Sequence, residues 1–172
     1  MNLVRLLAAG AAAGAVGTVA MDLLWYRRYR REQGKEEFVP WEFAQDVTGW
    51  ESASAPGQVG KKVEEVVLRR TPPDAWARPT TNVVHWATGI GWGINLALAQ
   101  LIMPRARWLS LALGPVAWLT SYTVLPLLKV YKPIWTYDAR TLGKDLSAHL
   151  VYGTVAAASF ALLTHGPGSS PV

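Results

Sequence analysis

The chain has 172 residues, 9 tryptophans, no cysteine, a net charge of +5 and a positive mean hydropathy. The missing cysteines exclude disulfides, thiolate chemistry and cysteine-based metal sites, and the length suits one bundle rather than several domains. The basic charge does not mark a nucleic-acid surface: the lysines and arginines crowd the ends of apolar segments, where they match anchoring to a lipid bilayer with anionic headgroups.

The first apolar segment, Leu6–Tyr26, is about long enough to cross a ~30 Å hydrocarbon core. Arg5 in front of it and Ala11–Ala13 within it resemble a cleaved signal. The apolar run nevertheless continues to Tyr26 and stops at Arg27, Arg28, Arg30 and Arg31, which describes a retained span. Gly10, Gly14 and Gly17 recur among alanines at small-x-x-x-small spacing, and Gly89 and Gly93 repeat it in the second span. Such spacing lets helix backbones approach closely. These glycines are read as packing faces within one bundle, with dimerisation through them as the weaker alternative.

A polar loop, 27–80, follows. Trp41–Trp50 reads as a short interfacial segment. A helix is expected over about 56–70, started by Ser54 as cap and ended by Pro72-Pro73. Val59, Val63, Val66 and Val67 fall on one face and charges on the other, so it reads as an amphipathic helix on the cytoplasmic membrane surface, or one that meets a protein partner. Three further spans are expected at Val83–Met103, Trp108–Leu128 and Leu146–Leu163, the first two joined by the hairpin Pro104–Arg107. Pro115 and Pro126 kink the third. The tail 166–172 is read as disordered. The whole is an all-α membrane protein: one bundle over residues 1–165, with four transmembrane helices plus a cytoplasmic amphipathic helix.

If the spans alternate sides, one face carries 14 of the 17 basic residues and the other 3. The positive-inside rule then places both loops in the cytoplasm and both termini outside.

Four polar residues share the inner side: Asp22, His85, Asp145 and His149. Gly14, Thr18 and Asp22 lie on one helical stripe, as do His85, Gly89 and Gly93, and Asp145, His149 and Gly153. The four are expected to converge inside the bundle, with Tyr122 as a fifth member. Structural hydrogen bonding is the leading account of both histidines. Proton or ion handling is the functional alternative, and imidazole with carboxylate also suits a divalent metal. No metal, cofactor or catalytic residue is assigned, since no nucleotide loop, Ser-His-Asp order or His-Glu-x-x-His is present. His85-x-x-x-Gly89 and His149-x-x-x-Gly153 also form an internal echo of the kind seen in parallel-repeat membrane proteins.

Gly14-Ala-Val-Gly-Thr-Val-Ala-Met-Asp22, Asn82-Val-Val-His-Trp, Tyr131-Lys-Pro-Ile-Trp and Asp145-Leu-Ser-Ala-His-Leu-Val-Tyr-Gly153 resemble the small four-span YagU-like inner-membrane proteins of bacteria. The resemblance implies architecture and location in a bacterial inner membrane, and no activity. The expected function is that of a non-enzymatic accessory or scaffold protein, with a homo-oligomer or a membrane-protein partner and no nucleic acid. The alternative is a small proton-linked transporter or channel using the Asp/His cluster.

Overall fold

The computed structural model describes residues 2–103 and 108–164. All regular structure among them is helical: α1 (Leu3–Arg31), α2 (Phe38–Glu42), α3 (Ala55–Leu68), α4 (Ala77–Ile102), α5 (Trp108–Leu127) and α6 (Ala139–Thr164), with 3-10 turns at Asp74–Trp76 and Ile134–Thr136. The expected hairpin 104–107 and tail 166–172 lie outside the described residues.

Helices α1, α5 and α6 are long and apolar enough to cross a membrane. Helix α4 has the 26 residues needed but is not in that set, because His85, Asn95 and Gln100 interrupt its apolar run. Composition therefore supports three spans where four were expected.

Three helices also overrun the expected spans on the loop side. Helix α1 continues through its arginines to Arg31, α4 begins at Ala77 and α6 at Ala139. Helical hydrogen bonding propagates beyond an apolar run once a nucleus exists, and Pro79 falls in the first turn of α4, where no intrahelical N–H is lost. Asp22 and Asp145 are consequently well inside their helices. Asp145 therefore lies beyond the first turn of α6, where the favourable effect of a helix N-terminus on a negative charge has faded.

Helix α1 is the centre of the bundle, packed between α4 and α6. Helix α5 packs on α6 and α3 on α4, whereas α4 and α5 touch sparsely. The α1–α4 seam is backbone against backbone: a Cβ on Gly10 would come within 2.6 Å of the Gly93 oxygen, and one on Gly14 within 2.5 Å of the Gly89 oxygen. Gly17 faces Tyr152 and Ala156 of α6, and Gly114 meets Gly153 across the α5–α6 seam. Ala9, Ala13, Leu96, Ala97, Leu113, Ala156 and Phe160 fill the half of the bundle away from the loop. Leu111, Leu119 and Leu127 on α5, and Leu162 and Leu163 on α6, face outward, as hydrocarbon-facing positions do.

The loop after α1 is a folded cap. The chain reverses at Gln33, which has positive φ, and at Gly34, over which the Tyr29 ring lies so closely that a Cβ has no room. Tyr26 and Tyr29 of α1 then pack against Phe38 and Trp41 of α2. Val47, Trp50 and Ala77 form a second small core, closed by the Trp50 indole donating to the Pro72 carbonyl at 2.9 Å.

Helix α3 departs from its expected role in two ways. Ser54 occupies the N-cap position but makes no side-chain capping bond. The docking face is mainly glycine: Gly57 and Gly60 seat α3 against Thr81, Thr80 and Val84 of α4 and Val59 is half-buried beside them, while Val63, Val66 and Val67 are exposed. Some basic residues also do more than meet headgroups. The Arg28 guanidinium stacks on Trp25 and donates to the Lys144 carbonyl at 2.8 Å and to Ser147 Oγ at 2.7 Å, tying α1 to α6.

Candidate functional site

Asp22 of α1 is 5% exposed and is bonded across the α1–α4 seam to His85, with Nε2 and Oδ2 2.9 Å apart. The contact follows from the glycine seam below it. Gly14 against Gly89 brings the two helices so close that side chains farther along both stripes meet. Thr18, between them, donates to the Gly14 carbonyl of its own helix at 3.0 Å.

His149 behaves differently, despite the same spacing to a glycine. Its Nδ1 lies 3.0 Å from the Asp145 carbonyl oxygen and 3.6 Å from Asp145 Oδ1, both one turn away on α6. Asp145 Oδ2 is buried and has no hydrogen-bond partner. Tyr122 is buried among Trp118, Tyr131 and Tyr137.

Asp22, His85, Asp145 and His149 all line one half-open cavity of about 450 Å³, walled by α1, α4, α5, α6 and the start of α3. Tyr131 lines it as well; Tyr122 does not, but it stands beside Asp145. The sparse contact between α4 and α5 gives it width on the loop side; nearer the far end Gln100 Nε2 donates to Ser110 Oγ at 3.2 Å and draws these helices together. The floor is Thr18, Trp92 and Tyr152, the last donating to the Gly89 carbonyl at 2.6 Å. Below the floor lies the glycine- and alanine-packed half of the bundle.

A second cavity, of about 490 Å³, lies on the loop side of the same Asp22–His85 pair. Its wall carries Glu36, Glu42 and Asp46 besides Asp22, and no lysine or arginine. In a chain of net charge +5 this is a local reversal of sign, and such a concave acidic surface concentrates cations.

Glu42 is the site residue that sequence reasoning missed. Its carboxylate stands beside Asp22 and His85, the three donor groups lying within 4.8 Å of one another. Two neighbours hold it there. Trp41 packs on the α1 tyrosines, and the Phe43 carbonyl accepts from Arg78 Nε at 3.2 Å and Asn82 Nδ2 at 3.0 Å on α4. Burial, and next the Asp22 carboxylate, push the Glu42 carboxyl up to about 7, against the lowering effect of His85. Elsewhere in the loops, burial, with Asp145 and Tyr137 adding to it, raises Tyr131 to about 12, and the bond from Lys144 holds Glu32 below its ordinary range. No spacing rule points to Glu42; the only hint in the sequence is its place between aromatic residues.

The chain matches no family model, no curated protein and no solved structure. The likeness to YagU-like proteins therefore rests on the quoted residues alone.

Proposed function

We propose that the protein is a four-span, non-enzymatic membrane protein of a bacterial inner membrane, acting as an accessory or scaffold that holds a small polar ligand or ion in a blind, loop-side cavity. The fourth span in this reading is α4. The glycine seam sets it alongside α1, so it shares α1's depth, and its far end presents Leu98, Leu101 and Ile102 outward. Two of its three polar interruptions are accommodated there, because His85 and Gln100 are bonded within the bundle, whereas Asn95 is exposed.

The observation that carries the reading is the floor. The cavity ends at Thr18, Trp92 and Tyr152, and beyond it α1 and α4 meet through backbone, with alanine, leucine and phenylalanine filling what remains. An interior packed in this way leaves no continuous path. The acidic loop-side cavity and the Asp145–His149 pair favour a second reading, proton-linked transport through a rearranged state.

Proton flux into proteoliposomes, followed with an internal pH dye over a range of external pH, separates the two. The accessory reading expects no flux above protein-free vesicles. Flux that depends on pH and is abolished by His149→Ala replaces it with transport.

A further inference from the structure

We propose that Asp22, Glu42 and His85 form a binding site for one first-row divalent transition-metal ion, which clamps the loop to the bundle. The inference goes beyond the function proposed above and does not depend on it.

The three donors come from three separate elements, α1, α2 and α4, and meet at one point. Metal–nitrogen and metal–oxygen bonds of about 2.0–2.2 Å, at tetrahedral or octahedral angles, hold neighbouring ligand atoms about 3.0–3.5 Å apart. His85 Nε2 and Asp22 Oδ2, at 2.9 Å, are already at that separation, and no donor pair exceeds 4.8 Å. Only the Glu42 carboxylate has to close in, and it sits on a five-residue helix at the edge of a cavity.

The charge balance points the same way. Glu42 Oε1 is buried and accepts no hydrogen bond. Asp22 is buried, and among the described residues its ion-pair partner is a histidine, not a lysine or arginine. Two carboxylates brought together away from water repel each other unless a proton or cation stands between them. Here an imidazole completes the set. That donor mixture selects zinc, manganese, iron, cobalt or nickel over calcium or magnesium, which prefer oxygen alone. The acidic cavity beyond Glu42 provides the entry path and room for water at the remaining positions.

The site explains the cost of the cap. Holding Glu42 inward requires the tight reversal at Gln33–Gly34, the aromatic stack and two donors on the Phe43 carbonyl. A metal ligand is one use for a carboxylate held so firmly next to another.

The test uses the full-length protein in detergent, stripped with EDTA and titrated with Zn²⁺ by calorimetry and with Co²⁺ by visible absorption. The expected result is one saturable equivalent. Its affinity should fall at least about 10–100-fold in Glu42→Gln and in His85→Gln, since even outer partners of metal ligands are worth that much. It should be unchanged in His149→Gln. Glu42 lies in the loop, so a Glu42→Gln protein that melts like the metal-free wild type shows that lost binding is not lost folding. No saturable uptake by the wild type, which is the result if the two carboxyls simply share a proton, overturns the proposal. So does full affinity in Glu42→Gln, or a loss in His149→Gln equal to that in His85→Gln.

Discussion

Replacing Gly14 by alanine tests whether the α1–α4 seam sets the geometry of the site. The new Cβ stands 2.5 Å from the Gly89 oxygen and 3.0 Å from Ile90 Cα, and ordinary contact starts at 3.4 Å. Both obstacles are backbone, so neither can rotate away. The helices must part by the shortfall, 3.4 Å less 2.5 Å, or roughly 0.9 Å. The same movement carries the Asp22–His85 contact from 2.9 Å to roughly 3.8 Å, beyond hydrogen-bond range. Overpacking costs about 1–3 kcal/mol, and an interhelical hydrogen bond in a membrane is worth about 0.6 kcal/mol on average. Gly91 supplies the control, because nothing lies within 4 Å of a Cβ there. Both substitutions exchange glycine for alanine in a helix, so their propensity gains cancel in the comparison. Gly14→Ala should therefore be less stable than Gly91→Ala by about 2–3 kcal/mol. Reversible unfolding with SDS in mixed micelles, read by tryptophan fluorescence, measures the difference. Equal stability of the two variants would refute the reasoning.

The other seams make further predictions. Gly57→Leu with Gly60→Leu should lift α3 from α4 and speed tryptic cleavage at Lys61 and Lys62 by about tenfold or more, as local opening replaces protection. Val66→Asp with Val67→Asp should leave that cleavage unchanged, because both valines are exposed; fast cleavage in this second variant would show that the valine face is the docked one. Reporter fusions after Val172 should be active only outside the cytoplasm, as the distribution of basic residues requires. Activity confined to the cytoplasm inverts the topology.

The spans were legible because apolar length is a one-dimensional property. Three of the four expected segments coincide with helices long and apolar enough to cross. Helix ends were less so, since Arg27–Arg31 and Ala139–Lys144 are helical for reasons of propagation that hydropathy does not register. Helix α3 shows the opposite failure. Its apolar periodicity located the helix, but periodicity ranks faces by what they carry. The face that docks is the one with Gly57 and Gly60, where the absence of a side chain admits Thr80 and Thr81 of the neighbour. A pattern of valines marks a greasy surface; it does not say which surface is covered.

The polar site divides along the same line. Stripe arguments brought Asp22, His85, Asp145 and His149 to one cavity, because small residues on the same face commit that face to the interior. They did not assign partners. His85 and His149 have the same spacing to a glycine, yet His85 reaches Asp22 on another helix, while His149 turns back to Asp145 on its own. The difference arises from what each glycine meets. Gly89 lies against the Gly14–Thr18 stripe, which ends in a carboxylate one turn on; Gly153 lies against Gly114, whose stripe at the same spacing carries Trp118 and Tyr122 where α1 has Thr18 and Asp22. Glu42 belongs to no stripe. Its position depends on a reversal of the chain, four aromatic rings and two bonds to a carbonyl contributed by α4. Only when those contacts are made does the third donor join the pair, so that Asp22 stands between an imidazole from α4 and a second carboxyl group from α2.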